Sequence, residues 1–429
     1  VRAMAACVIS APVALPARRT CSSHSSHIGG RGFHLRPRLY ESGLGLGASR
    51  RPSSSRHNQN QIRCSSSSLC SSQVLIPSDL HLDTETSPSS QKWDSRTVSN
   101  AVVKYLPDGL PKNPTDNADS IADAWRMWYT GTDADGARSV GIATSIDGVT
   151  WTRDTTASPI LAPNAEDWFY CDTASVEVTD VAFQAGVFWL MYDAEDKAGA
   201  RRVAVALSQD GTNFARYEAE HSSGAMFVGA TIADEMPTYE VEDRAGNANK
   251  MWDVDNVGGA TQVFAGPKED LRLYYHAETE EGTWGIGVAR SADGVRWIKV
   301  VSETKGMVLD GGRHPCVVPV ASSDGSGLMW VMVYEEEDDQ GRVGIALATS
   351  RDGMKEWSKE GMVLTAGGDG AWDCGGVGRP NLVRMAEGKW RLYYTGFGSD
   401  GHGTGIGLAL GETEEGSVMP SEFVRRKGV

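Results

Sequence analysis

Two kinds of residue in this 429-residue chain could do chemistry together: isolated carboxylates and arginine–histidine pairs. Two carboxyl groups can share acid and base work when one holds its proton and the other does not. Asp172 and Asp255 each stand alone against an otherwise repetitive background, and Glu177 lies in a strand-like run. These three are the candidate catalytic carboxylates. Arg313-His314 precede Pro315, Arg379 precedes Pro380, and His276 follows a Tyr-Tyr pair. A guanidinium is a planar fork suited to carboxylate or phosphate. Arg313, His314, Arg379 and His276 are therefore candidate binding residues, with Asn100, Asp253 and Asp373 beside them in the pattern. Asp94, Asp253 and Asp373 each follow a Trp, and that recurrence suits a structural task. The arginines could equally pair with Asp172, Asp253, Asp255 or Asp373 in an internal network. Two acidic runs, Asp193-Ala-Glu-Asp196 and Glu335-Glu-Glu-Asp-Asp339, read as solvated turns that could overhang the same place.

Other chemistries find no motif. There is no glycine-rich phosphate loop with a lysine and no His-x-x-x-His pair, so no cofactor and no metal are expected. Asp133-Ala-Asp-Gly136 is too short for a calcium loop and fits a hairpin. The net charge of -15 argues against nucleic acid and anionic membrane surfaces as partners. No apolar run is long enough for a membrane-spanning helix.

The elements that must position these residues are repeats. A strand-like phrase recurs as Trp125–Gly131, Phe188–Tyr192, Leu271–Tyr275, Met329–Tyr334 and Trp390–Gly396. A second phrase follows each: Val140-Gly-Ile-Ala143, Val203-Ala-Val-Ala206, Ile286-Gly-Val-Ala289, Val343-Gly-Ile-Ala346 and Ile406-Gly-Leu-Ala409. After four of these comes Ser-x-Asp-Gly and then an aromatic, a hairpin signal in which Asp147, Asp210, Asp293 and Asp352 are turn residues. An inner strand precedes each unit, heralded by Trp93-Asp94, Trp252-Asp253 and Trp372-Asp373, with weaker copies near Trp168 and Asp310.

Four antiparallel strands per unit and five units predict an all-β, five-bladed β-propeller of four-stranded antiparallel blades over residues 93–411. A six-bladed ring is the alternative. The fifth unit lacks an Asp-Gly turn, so Val74-Leu-Ile76 or the tail near Phe423-Val424 must complete it. Residues 73–92 are a linker or that closing strand, 412–429 a C-terminal tail, and about 218–251 a long insertion suited to a rim loop.

The phrases Trp-x-Leu-Tyr-Tyr-Thr-Gly, Ile-Gly-x-Ala-x-Ser-x-Asp-Gly-x-x-Trp and Trp-Asp…Arg-Pro-Asn-Leu-Val resemble the five-bladed propeller superfamily of arabinanases, levansucrases and invertases, glycoside hydrolase families 32, 43, 62, 68 and 130 among them. The resemblance covers residues 93–411 and implies a carbohydrate-active enzyme working at the mouth of a central channel. Such enzymes need two carboxyl groups flanking the bond. The columns where family 43 places its acids hold Asn100, Ser175 or a neighbour, and Gly258 here, so the usual trio is not reproduced. His314 and Arg379 fall in the column of the first acid. Family 130 phosphorylases hold phosphate with Arg and His on this fold, which keeps a phosphorolytic reading open. Three functions remain: a glycosidase-like enzyme acting on a glycoside or sugar phosphate, a binding propeller without catalysis, or an enzyme of another class acting on a small anionic metabolite.

Residues 1–72 hold ten Arg, no Lys, one acidic residue and sixteen Ser, whereas all thirteen Trp lie between Trp93 and Trp390. That contrast predicts a transit peptide, chloroplast stroma as destination and the mitochondrion as the alternative. Met4 is a natural start, and Ile62-Arg63-Cys64 resembles a stromal processing site. Beyond residue 72 only Cys171, Cys316 and Cys374 remain, too few and too dispersed for a disulfide framework.

Overall fold

A computed structural model describes residues 72–76, 93–106, 125–164, 170–229, 252–264, 271–300, 306–322, 325 and 327–426. The expected leader and most of the expected insertion lie outside the described residues. The chain is a five-bladed β-propeller. Blade one is β2 (Thr97–Tyr105), β3 (Trp125–Thr132), β4 (Arg138–Ser145) and β5 (Thr152–Arg153), paired in that order. Blade two repeats this with β6 (Ser175–Gln184), β7 (Val187–Glu195), β8 (Arg201–Ser208) and β9 (Ala215–Tyr217). In blade three, β10 (Asp255–Phe264), β11 (Leu271–Glu278) and β12 (Trp284–Ser291) are followed by two short outer pieces, β13 (Ile298–Lys299) and β14 (Met307–Asp310). Blade four is β15 (Arg313–Ala321), β16 (Leu328–Glu337), β17 (Val343–Ser350) and β18 (Ser358–Leu364).

Blade five holds β19 (Gly376–Arg384), β20 (Lys389–Phe397) and β21 (Gly403–Glu412). Both ends of the described chain complete it. β1 (Gln73–Leu75) pairs with β21 at Gly407 and Ile406, and β22 (Val424–Arg425) pairs at Ala409 and Leu410. The two segments that competed for this role in the sequence share the one edge.

A blade is apolar on both faces, so the core is not central. It lies in five wedges, one between each pair of neighbouring blades. The wedge between blades five and one joins Tyr393 and Leu408 to Val98 and Tyr129, which closes the ring hydrophobically. The recurring glycines of the second phrase make room for the recurring Trp. A Cβ on Gly141 would sit 2.2 Å from the Trp93 ring. The Asp-Gly turns sit at the rim and receive the preceding blade. Tyr393 donates to the Gly148 carbonyl (2.6 Å), Trp128 to Gly211 (2.9 Å) and Tyr274 to Gly353 (2.6 Å). The Asp147 carboxylate is occupied inside its own turn by the Val149 and Thr150 N–H groups.

Four blades also carry a staple of a tyrosine, a buried carboxylate and a cation, and blade four carries a more exposed version. Tyr129 donates to Asp94 (3.0 Å), Tyr192 to Asp172 (3.2 Å), Tyr275 to Asp253 (3.1 Å) and Tyr394 to Asp373 (3.1 Å). The cations come from the outer strands or their flanks: Arg153 on Asp94, Arg216 on Asp172 (2.5 Å), Lys299 on Asp253 and Arg425 on Asp373 (2.8 Å). Blade four has Val308 six residues before its bulge, where the others have this Asp. Glu336 takes its place, between Tyr334 (3.3 Å) and Lys359 (2.5 Å).

Lys299 and Asp253 are both buried, so removing the acid strands a buried ammonium. Asp253→Ala should cost about 3–5 kcal/mol in urea unfolding, and Asp253→Leu with Lys299→Met should recover most of it. A loss below about 1 kcal/mol in the single variant would show that the staple does not hold the blade.

Candidate functional site

The site grows out of a defect repeated in every inner strand. The register slips between Ser99 and Val102, Val178 and Asp180, Gly258 and Thr261, Arg313 and Cys316, and Gly378 and Asn381. These are β-bulges, which re-aim side chains and free a backbone N–H from the ladder. At four of them the backbone is left-handed: Asn100 (φ 48°), Gly259 (58°), His314 (47°) and Arg379 (51°). Non-glycine residues in that region are strained, and such strain gathers at functional sites. Val178 occupies the blade-two position, so the columns shift from the sequence expectation. Val178 and Gly259, not Ser175 and Gly258, are the equivalents of Asn100.

Each freed N–H is received by a side chain of the preceding blade. Asn100 donates to Thr395 (3.1 Å), Val178 to Thr130 (3.1 Å), Gly259 to Asp193 (2.9 and 3.0 Å), His314 to His276 Nδ1 (3.1 Å) and Arg379 to Glu335 (2.8 Å). All five acceptors directly follow the last Tyr of the recurring phrase. Two are threonines. The other three, Asp193, His276 and Glu335, are titratable and at least nine-tenths buried.

Inside this ring the arginines and acids interlock. Arg379 Nη1 donates to Asn100 Oδ1 (2.6 Å), Glu177 Oε2 (2.8 Å) and Ser99 Oγ (3.3 Å). The Asn100 amide donates to Glu177 (3.2 Å). Arg138 bridges Glu177 and Glu195, and Arg201 approaches Glu195 at 3.3 Å. Arg313 lies 3.6 Å from Glu335. The His276 and His314 rings are 4.5 Å apart, and Trp284 meets His276 edge-on at 5.2 Å. Below, a cavity of about 90 Å³ runs between the inner strands, lined by Asn100, Gly259, His314 and Arg379 among others.

Electrostatics divide the carboxylates. Burial disfavours charge on Glu177, yet Arg379 and Arg138 outweigh it and hold the group at about 2. Asp193 is its direct cross-strand partner, on β7 facing β6. Burial and the Glu177 charge push Asp193 up to about 7, against the lowering pull of the Gly259 N–H. Burial also raises Glu335, despite Arg379 and Arg313. Burial, with the neighbouring cations, keeps His276 and His314 neutral. One carboxylate stays ionised while its neighbour keeps a proton near neutral pH, a division of labour that acid–base chemistry requires.

Of the residues singled out in the sequence, Asn100, Glu177, His276, Arg313, His314 and Arg379 come together here. Asp172, Asp253 and Asp373 do not. They are the staple acids of blades two, three and five, each held by a tyrosine and a cation away from this network. Asp172 is thus not a solitary carboxylate. It is the blade-two copy of Asp94, hard to recognise because its Trp does not stand next to it. Asp255 opens β10, and its side chain lies outside the described residues. Asp193 and Glu335 were hidden in acidic runs that read as solvated turns. Glu195 stood in the first of those acidic runs, while Arg138 and Arg201 had no sequence signal of their own. The signal for Asp193 and Glu335 was positional: both occupy the place of Thr130 and Thr395 after the repeated Tyr.

The raised Asp193 sets a sign for stability. Folded chain keeps the proton up to about pH 7, whereas unfolded chain releases it near 3.8. The contribution is present below about pH 4 and is lost as pH rises towards 7. Asp193→Asn should remove about 2–4 kcal/mol of that decline, seen as a widening stability advantage over wild type in denaturant titrations from pH 4 to 7. Parallel curves across the window would show that Asp193 ionises normally.

No family model matches the chain, and no curated protein does. Solved structures do. A thermostable family-43 glycoside hydrolase is 15% identical with a TM-score of 0.51, over 77% of this chain and 94% of the other. A glycosyl hydrolase from Bacteroides ovatus is 14% identical with a TM-score of 0.51, over 82% and 93%. An N-acetylgalactosamine deacetylase from F. plautii, in complex with blood group B trisaccharide, is 15% identical with a TM-score of 0.50, over 80% and 94%. At these identities the likeness is one of fold: the chain has the architecture of the five-bladed propeller glycoside hydrolases.

Proposed function

We propose that this protein is a carbohydrate-active enzyme that cleaves a glycosidic bond at the channel mouth. One observation carries the reading: Glu177 and Asp193 face each other across β6 and β7 with proton affinities driven apart. Asp193 is the proton donor to the leaving oxygen. Glu177 remains ionised and meets the positive charge that develops at the anomeric carbon; water then adds to that carbon and gives a proton back to Asp193, so that one water is consumed for each bond cleaved. Arg379 and Asn100 hold Glu177 in place, so its orientation is set before a ligand arrives. Directly opposed residues have Cβ atoms about 4.5–5.5 Å apart. From there the Glu177 carboxylate reaches Arg379, Arg138 and Asn100, and the Asp193 carboxyl group reaches the Gly259 N–H. The fold it shares with glycoside hydrolases supports the class of reaction. Its chloroplast address rests on the composition of residues 1–72 alone.

A second reading is favoured by the Gly259 N–H. Asp193 caps it as Thr130 caps Val178, so the acid also has a purely structural job. A propeller that binds a glycan without cleaving it would need no more than that.

Turnover on a panel of nitrophenyl glycosides separates the two. Glu177→Gln and Asp193→Asn should each lower kcat by about 10²–10⁴, with the folded state confirmed by near-ultraviolet circular dichroism. Asp172→Asn should lower the unfolding midpoint and leave kcat within a few-fold. Equal turnover in wild type and both site variants would remove these residues from the chemistry, and binding without turnover in wild type would establish the second reading.

A further inference from the structure

Not all cations at the mouth are spoken for. Arg379 donates to three groups and Arg138 bridges two carboxylates. Arg201 and Arg313 differ. The Arg201 ion pair among the described residues is with Glu195 at 3.3 Å, and that of Arg313 is with Glu335 at 3.6 Å, beyond good hydrogen-bond length. Their side chains are 39% and 31% exposed. A guanidinium carries five donors, so most of these point to water.

Arg313 is nevertheless aimed. Its guanidinium lies over the Trp284 ring, 5.6 Å from the centroid. Trp284 packs edge-on against His276, and His276 against His314. Arg201 joins the same cluster through Glu195, Arg138 and Glu177, to which Arg379 also donates, and Arg201, Arg313 and Arg379 all act electrostatically on the two imidazoles. The chain as a whole carries a net charge of -15, so four arginines at one mouth run against the general trend of the molecule. Carboxylates balance Arg138 and Arg379 there, while Arg201 and Arg313 are the exposed cations of the cluster, placed to meet an incoming oxyanion.

We propose that Arg201 and Arg313, with His314 between the blades, bind an oxyanion attached to the saccharide, a carboxylate or a phosphate, so that the preferred ligand is an acidic sugar and not its neutral parent. The proposal rests on the reading of the mouth as a saccharide site and adds the charge class of what enters it. Glu177 and Asp193 act on the bond; the arginine wall reads the substituent. Arg is suited to this because its fork matches either oxyanion.

Calorimetric titration of the full chain tests it without requiring turnover. The probes are glucuronic acid, galacturonic acid and glucose 6-phosphate, with glucose, galactose and inorganic phosphate as controls. At least one acidic sugar should bind tenfold or more tightly than its neutral parent, and raising salt from 50 to 500 mM should narrow the gap. Arg313→Gln and Arg201→Gln should each weaken the acidic sugar at least tenfold and change the neutral one little, while the Lys variants keep part of the preference. Equal binding of acidic and neutral sugars, or no binding of any acidic sugar, overturns the proposal. So does inorganic phosphate that binds as tightly as glucose 6-phosphate, since the site would then take a free ion. Acidic-sugar preference lost in the Arg variants, together with unaltered turnover in Glu177→Gln, would keep the oxyanion site and discard the bond-cleaving role of Glu177.

Discussion

Everything at the mouth depends on one hydrogen bond made five times: a bulged N–H on each inner strand, received by a side chain from the blade before it. A buried N–H without a partner is costly. The bulge creates that debt in every blade, and a side chain at one fixed position removes it. The requirement is only for an acceptor. Thr395 and Thr130 meet it with a neutral hydroxyl, whereas Asp193, His276 and Glu335 meet it with groups that titrate. Chemistry therefore enters this fold as a choice among acceptors the architecture already demands. The same bond links each blade to the next, so the groups it places are as rigid as the ring itself.

The protein keeps two populations of buried acid apart. The staple acids lie between strands of one blade or beside it, each neutralised by a cation and a tyrosine. The channel acids lie between blades, share Arg379, and feel one another. Burial first, and then repulsion from Glu177 within the second group, leaves Asp193 protonated beside an ionised Glu177. A staple acid has no such neighbour. Burial alone does not distinguish the two populations, because both are almost fully enclosed. Their partners do.

The blades were legible because strand periodicity and Asp-Gly turns repeat with little variation, and Ser-x-Asp-Gly fixes one outer corner of a blade each time. Half of the site was legible for the same reason: His314 and Arg379 precede prolines in equivalent places, and Asn100 aligns with them. The other half was not, and the bulge explains why. A strand alternates faces every two residues, but an inserted residue breaks the count, so the facing of Ser175, Glu177 and Val178 could not be obtained by stepping along β6. Blade two also lacks an adjacent Trp-Asp, which concealed that Asp172 is a staple. Asp193 and Glu335 stand at the ends of strands beside further acids, where composition speaks of solvent and the fold delivers burial.

The last blade has a further consequence for how the molecule assembles. Its outer edge is made by residues 73–75 and 424–425, both laid against β21. Arg153 of blade one also reaches back to the Ile76 carbonyl. Four blades can pair their own strands as soon as they are synthesised, since their contacts are local. The fifth cannot be finished until residues 73–75 meet β21, across more than three hundred residues. Contacts that distant are slow to form. The ring should thus spend its early life as an open arc whose β21 edge is unpaired, and the mouth, which needs Asn100 of blade one against Arg379 of blade five, is assembled only when the arc shuts.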